Sequence, residues 1–230
     1  MDFNLHEYDL DDLPDFPSIV LNGKRRAGKG IMTRFICFHH FRKKVRNAFL
    51  FSPTSEIANN QMDFIPNHFR YKEFDPDVID RILKRQEYLI RQDPKGNHHT
   101  LIVVDDIIST LDSKSQKCLD KLFIAGRHFQ ISLIVCFQYV KREFSTIQRT
   151  NCDVIFCFQQ NNFNNKESLV LEYLNTTDNK NEGFALFNKY AEGYNCLVIS
   201  NTSTSNEYED YCFTMKADVI KRKFMLGSDY

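Results

Sequence analysis

The sequence predicts an α/β domain with a mainly parallel central sheet and helices on both faces. Three observations carry this prediction. A short apolar run, residues 19–21, leads into a glycine-flanked loop and then an amphipathic stretch. Four consecutive apolar residues, 101–104, end in a pair of acids, as in a strand buried on both faces of a parallel sheet. Apolar runs of strand length then alternate with stretches of helical period, the order of repeated strand–helix–strand crossovers. The 230 residues suffice for one such domain and are short for two.

The acidic residues 1–16 read as an arm or a solvated terminus ahead of the domain, which spans 17–200. The first strand covers 18–22, and the helix after the loop runs from Lys29 to about Arg42. Ile31, Phe35 and Phe38 share one face at helical spacing, and cations near the end complement the helix dipole. A second strand covers 48–51, and Ser52-Pro53-Thr54 ends it. A polar, irregular segment follows to about residue 75. Residues 77–91 read as a helix with Val78, Ile82, Leu83 and Leu89 on an apolar face. A turn at 93–97 precedes the strand 101–106, then a helix at 115–125 and a buried strand at 131–137. A helical turn is expected at 144–147, a strand at 154–158 and a helix at 164–174. Residues 184–190 and 195–200 read as a β-hairpin around Ala191-Glu192-Gly193-Tyr194. Residues 201–230 form a polar loop and a basic tail with Lys221-Arg222-Lys223.

Composition narrows the function. Net formal charge is zero, which excludes a broad surface that coats nucleic acid but not a narrow basic loop. The 7 cysteines include no C-x-x-C pair, and Cys37, Cys136, Cys157 and Cys196 lie in apolar runs, as reduced core thiols do. No signal peptide opens the chain, no apolar run reaches membrane-spanning length, and no metal-ligand spacing appears.

The chemistry is concentrated in four places. Gly23, four residues, Gly28 and Lys29 form a phosphate-binding P-loop between strand and helix. The segment Gly23, Lys24, Arg25, Arg26, Ala27, Gly28, Lys29 and Gly30 would turn its amides toward an anion, and Lys29 would reach the β- and γ-phosphates. The usual Ser or Thr ligand to Mg²⁺ after the lysine is replaced by Gly30. The acid pair has the form of a Walker B motif, with Asp105 attending the metal and Asp106 orienting or deprotonating the attacking water. Gln138, ending the next strand, is placed to bridge the γ-phosphate or the lytic water to the protein. Arg127 and Arg149 each precede a strand, and either is a candidate arginine finger for a neighbouring subunit, worth about 10³ to 10⁵ in rate.

These residues resemble those of viral genome-packaging ATPases of the FtsK–HerA superfamily, in particular the poxvirus and giant-virus type. The resemblance rests on Gly23-x4-Gly28-Lys29, on 101–106, on Ala125-Gly126-Arg127-His128-Phe129-Gln130-Ile131-Ser132 and on 133–138, in that order. The spacing from Gln138 to Arg149-Thr150-Asn151 also fits. The resemblance covers about residues 17–160, with weaker support to about 200. It implies a RecA-like P-loop NTPase fold of the additional-strand type, ATP and Mg²⁺ as cofactors, and a homo-oligomeric ring that translocates double-stranded DNA. It further implies capsid or portal components as partners and residence at viral assembly sites in the host cytoplasm or in the virion. It favours Arg127 over Arg149 as the finger.

Two other functions compete. A nucleotide-binding subunit that uses ATP for assembly is motivated by Gly30. A small-molecule phosphotransferase would need an arginine-rich lid, and none follows the acid pair. A cellular DNA motor of the same superfamily would carry extra domains.

Overall fold

The computed structural model describes residues 3–54, 62–107, 111–174 and 180–227. An eight-stranded sheet forms its centre. The strands are β1 (Ser18–Asn22), β2 (Asn47–Phe51), β3 (Arg70–Tyr71), β4 (Thr100–Asp105), β5 (Ile131–Phe137), β6 (Val154–Cys157), β7 (Asn195–Ser200) and β8 (Cys212–Lys216). Their order is β3-β2-β4-β5-β1-β6-β7-β8. All pairs from β3 to β6 are parallel; β7 runs antiparallel to β6 and to β8.

The helices are α1 (Lys29–Ile36), α2 (Pro76–Gln92), α3 (Ser113–Ala125), α4 (Val140–Glu143), α5 (Thr146–Thr150), α6 (Phe163–Tyr173), α7 (Lys180–Tyr190) and α8 (Tyr208–Tyr211). Local chemistry sets several boundaries. Asp75 accepts a hydrogen bond from the Asp77 amide with Pro76 at the first helical position, and Asp112 accepts from the Ser115 amide. Ser145 and Gln148 form a reciprocal capping box at α5.

The strands feed two cores, as alternation dictates. Val20, Ile102, Val104 and Val135 point to one side, where α2, α3, α6 and α7 pack. Ile19, Leu21, Leu101, Val103 and Ile134 point to the other, where α1 and its π-helical extension Cys37–Phe41 pack. Helices therefore cover both faces, as expected.

Several expectations needed correction. Residues 184–190 are the end of α7, not a strand, so there is no hairpin with 195–200. Gly183, Leu186, Phe187 and Tyr190 repeat at helical spacing, and a Cβ at Gly183 would stand 2.8 Å from the Leu174 carbonyl oxygen, so α7 lies against the end of α6. The antiparallel partner of β7 is β8, inside a segment read as polar tail. The helical turn expected at 144–147 is instead two short helices, α4 and α5, on either side of Phe144 and Ser145. On α1 the innermost face is Met32, Thr33 and Ile36 rather than Ile31, Phe35 and Phe38. That outer face is half-buried because Phe224 of the tail packs on Phe38, ring centroids 5.2 Å apart.

The acidic arm does not trail in solvent. Phe3, Leu5, Tyr8, Leu10 and Leu13 are buried, and the Tyr8 and Thr214 amides donate to the Thr214 and His6 carbonyls respectively. The arm thus covers the β8 edge, which would otherwise offer unpaired backbone groups. At the other terminus Leu226 is fully buried and donates its amide to the Phe64 carbonyl. The guanidinium of Arg34 in α1 donates to the carbonyls of Ile220 and Arg222.

Candidate active site

The carboxyl ends of β1, β4 and β5 bring the predicted site residues together. β1 ends at Asn22, and the chain turns at Gly23. A Cβ there would lie 2.6 Å from Phe158 Cβ, so only glycine lets the loop pass the end of β6. Arg26 (φ 63°) and Gly28 (φ 107°) both adopt the left-handed conformation, which folds the loop back on itself. Gly28 is the N-cap of α1 and brings no side chain to it, so the first amides of the helix remain available to an anion. The Lys29 ammonium donates to the carbonyls of Gly23 (2.7 Å) and Lys24 (3.2 Å), which holds it over its own loop.

A cleft of about 420 Å³ lies over this loop, within the usual range for small-molecule sites. Arg25, Arg26, Gly28, Lys29 and Gly30 line one side, and Asp105, Asp106 and Gln138 the other. The two halves of the predicted constellation therefore share one cavity. Lys24 does not line it and bonds Asn161, whereas Ala27, though buried, does line it. A wider cleft, about 1130 Å³, lies beside β3 and the start of α3 and contains none of the predicted residues.

The two acids differ in environment. Asp105 is raised from 3.8 to about 6, first by burial and then by the neighbouring Asp106 carboxylate, against the Lys29 charge and hydrogen bonds from Cys136 and Ser52. Asp106 follows the strand in the left-handed conformation (φ 56°), an uncommon one for a residue with a side chain. That twist turns its carboxylate to Gln138, whose Nε2 donates to Asp106 Oδ1 at 2.9 Å. Gln138 is itself braced. Its amide donates to Glu143 Oε2 at 2.9 Å, and Asn165 Nδ2 donates to its carbonyl at 3.0 Å.

The donor set suits magnesium bound with a nucleotide. Among the described residues no cluster of three His, Cys, Asp or Glu side chains forms. Mg²⁺ commonly takes one or two carboxylates, with phosphate oxygens and water completing its shell, and Asp105 offers one. Gly30 offers no hydroxyl. Thr33 does not replace it, because its Oγ1 donates to the Lys29 carbonyl at 3.0 Å and lies 3.5 Å from Cys136 Sγ. A hydroxyl does reach Asp105 from Ser52, at the end of β2. Sequence reading missed Ser52, Glu143 and Tyr194, the last of which also lines the cleft.

Neither candidate finger joins this cleft within one chain. Arg127 is exposed at the opposite edge of the sheet, near Ser18 and Ile131, the first residues of β1 and β5. Arg149 in α5 lies toward the same edge, donating to Glu172 Oε2 (2.7 Å) and Thr146 Oγ1 (3.1 Å).

Comparison with known proteins gives a consistent result. The family described as poxvirus A32 protein matches residues 7–226. An uncharacterized protein of Acanthamoeba polyphaga mimivirus is 26% identical over 235 residues, covering 98% of this chain and 81% of its own length. One from Frog virus 3 is 25% identical over 203 residues, covering 88% of this chain and 62% of its own. Among solved structures, the genome packaging NTPase B204 of Sulfolobus turreted icosahedral virus 2, in complex with AMPPCP, superposes with a TM-score of 0.58 at 15% identity, over 90% of this chain and 100% of that one. The conjugation coupling protein TcpA, bound to ATPγS, gives a TM-score of 0.61 at 12% identity, over 89% of this chain and 61% of that one. At such identities these two likenesses establish the fold, that of a P-loop ATPase. No helix among the described residues is long and apolar enough to cross a membrane.

Proposed function

The chain belongs to the poxvirus A32 protein family, and on that premise we propose that it is an ATP-hydrolysing motor that moves double-stranded DNA into a viral capsid. The observation that carries this reading is the shared cleft, with the loop of Lys29 on one wall and Asp105, Asp106 and Gln138 on the other. Similar folds have been solved with ATP analogues bound.

Each residue has a physical task. Lys29 exchanges the Gly23 and Lys24 carbonyls for phosphate oxygens, so little has to move when nucleotide arrives. The amides at the start of α1 grip the phosphates. Asp105 holds Mg²⁺, which when bound offsets the charge on the phosphates. Binding that cation requires Asp105 to lose its proton. Asp106 orients the attacking water and accepts its proton. Gln138, already bonded to Asp106, senses whether the γ-phosphate is present.

The same glutamine leads toward a DNA contact. Glu143 receives the amides of both Gln138 and Tyr139, so α4 is tied to the sensor at its root. Lys141 and Arg142 of α4 are exposed and suit phosphate-backbone contact. A change at the γ-phosphate would shift these cations against the duplex. A ring supplies the missing cation. With Arg127 on the edge opposite the cleft, a head-to-tail neighbour would bring it to the nucleotide.

The test is phosphate release with Mg²⁺, with and without double-stranded DNA at low salt. Turnover is expected to rise with DNA and to vanish in Lys29→Ala. Asp106→Asn should bind ATP and fail to hydrolyse it. Indifference to DNA sinks the motor reading. Gly30 favours one second reading, in which ATP only stabilises the assembled protein; there ATP raises the melting temperature and no phosphate appears.

A further inference from the structure

The residues assigned above hold a triphosphate and leave the base without a partner. The sheet order fixes where the base must go. β5 and β4 lie on one side of β1 and carry Gln138, Asp105 and Asp106; β6 and β7 lie on the other. With the γ-phosphate at the acids, the nucleoside leaves toward β6 and β7. Tyr194, immediately before β7, stands on that side and lines the same cleft.

A lone exposed aromatic is ordinary. Tyr194 is set apart by its position and its support. A Cβ at Gly28 would lie 3.6 Å from Tyr194 Cδ1, so the ring lies beside the N-cap of α1. Tyr194 is 64% exposed and spends little of its surface on the core. Its turn is closed by the Asn195 amide donating to the Glu192 carbonyl at 3.1 Å, with Gly193 in the left-handed conformation (φ 64°). α7 on one side, through buried Ala191, and β7 on the other anchor that turn.

We propose that Tyr194 is the stacking platform for the nucleobase of the bound nucleoside triphosphate. The proposal rests on the nucleotide reading of the cleft. It also predicts selectivity. Among the described residues, the side-chain carboxylates and amides lining the cleft are Asp105, Asp106 and Gln138, all at the phosphate end. No described carboxylate or amide of the lining stands beside Tyr194 to read a base edge, and every base has a π-face. The site therefore prefers nucleotides over bare polyphosphate but does not separate adenine from guanine.

The experiment measures affinity for ATP, GTP and inorganic tripolyphosphate in wild type, three variants of Tyr194 and Lys29→Ala. ATP and GTP should bind wild type within about threefold of each other, as expected for stacking without base-edge contacts. Tyr194→Ala should weaken both by about tenfold and leave tripolyphosphate unchanged. Tyr194→Phe, which keeps the ring, should recover the affinity. The chain contains no tryptophan, so Tyr194→Trp gives a single tryptophan, excited apart from the tyrosines, whose emission ATP should quench and tripolyphosphate should not. Equal weakening of ATP and tripolyphosphate in Tyr194→Ala, or none of either, overturns the platform while a Lys29→Ala loss still upholds the nucleotide site. Wild type that binds none of the three ligands overturns both.

Discussion

Asp105→Asn should make the nucleotide-free protein more stable and inactive at once. In the fold its carboxyl is raised from 3.8 to about 6, mainly by burial and then by Asp106. A shift of about 2 units is worth about 3 kcal/mol at most, and relaxation and water penetration around the partly exposed carboxyl reduce that to about 1.5 kcal/mol. The sign follows from proton counts. Between about pH 4 and pH 6 the unfolded chain has ionised Asp105 while the folded protein still holds the proton. The folded state therefore binds more protons, and its stability falls as pH rises through that window. Above about pH 6 the penalty is complete and constant. Asn keeps the shape without the charge, so it escapes the penalty. The assay is thermal unfolding of both proteins across pH 4 to 8 without Mg²⁺ or nucleotide. For a chain of this size Asp105→Asn should melt about 3–6 °C higher at pH 8, and the gap should close toward pH 4. Buried His40 and His99, each lowered to about 4 first by burial, titrate in both proteins and cancel in the difference. With Mg²⁺ and ATP present the order should reverse, since only wild type gains from the metal. A variant that melts at or below wild type at pH 8, or a gap that ignores pH, would refute the reasoning.

Two further outcomes are expected. Gly30→Ser restores the hydroxyl at the start of α1 and should lower the Mg²⁺ concentration for half-maximal turnover without slowing it; an unchanged Mg²⁺ titration means that the loop is misread. Arg127→Ala should lose ATPase activity by about 10³-fold and regain part of it in mixed assemblies with Lys29→Ala, because each variant supplies what the other lacks. Full activity in a strictly monomeric wild type would remove the basis for a finger acting between subunits.

The features legible in the sequence are those that a few adjacent residues determine. β1 and β5 have the bounds expected from their apolar runs, and the glycine loop, the acid pair and Gln138 meet because each ends a neighbouring parallel strand. The rest needed contacts distant in sequence. Ser52 reaches Asp105 only because β2 lies beside β4, and Tyr194 reaches Gly28 only because β7 lies beyond β6. β3 is two residues long and β8 is a short run close behind a polar loop, so neither announces itself. α7 was legible in principle. The spacing of Gly183, Leu186, Phe187 and Tyr190 carries a helical period that the aromatic content of 184–190 concealed. The packing of the arm was also visible in outline, since its apolar residues interrupt the acids at short intervals.

The last residues of the chain have a consequence for how truncations behave. Phe224 stacks on Phe64 and meets Phe38, and the backbone at 220 and 222 receives the Arg34 guanidinium. All of this buttresses the outer side of α1, whose opposite end is the phosphate cradle. Shortening the protein from its carboxyl end would strip that buttress and loosen the helix that Lys29 begins. Deletion mapping would then score the tail as essential for ATP, although no described residue beyond 216 lines the cleft.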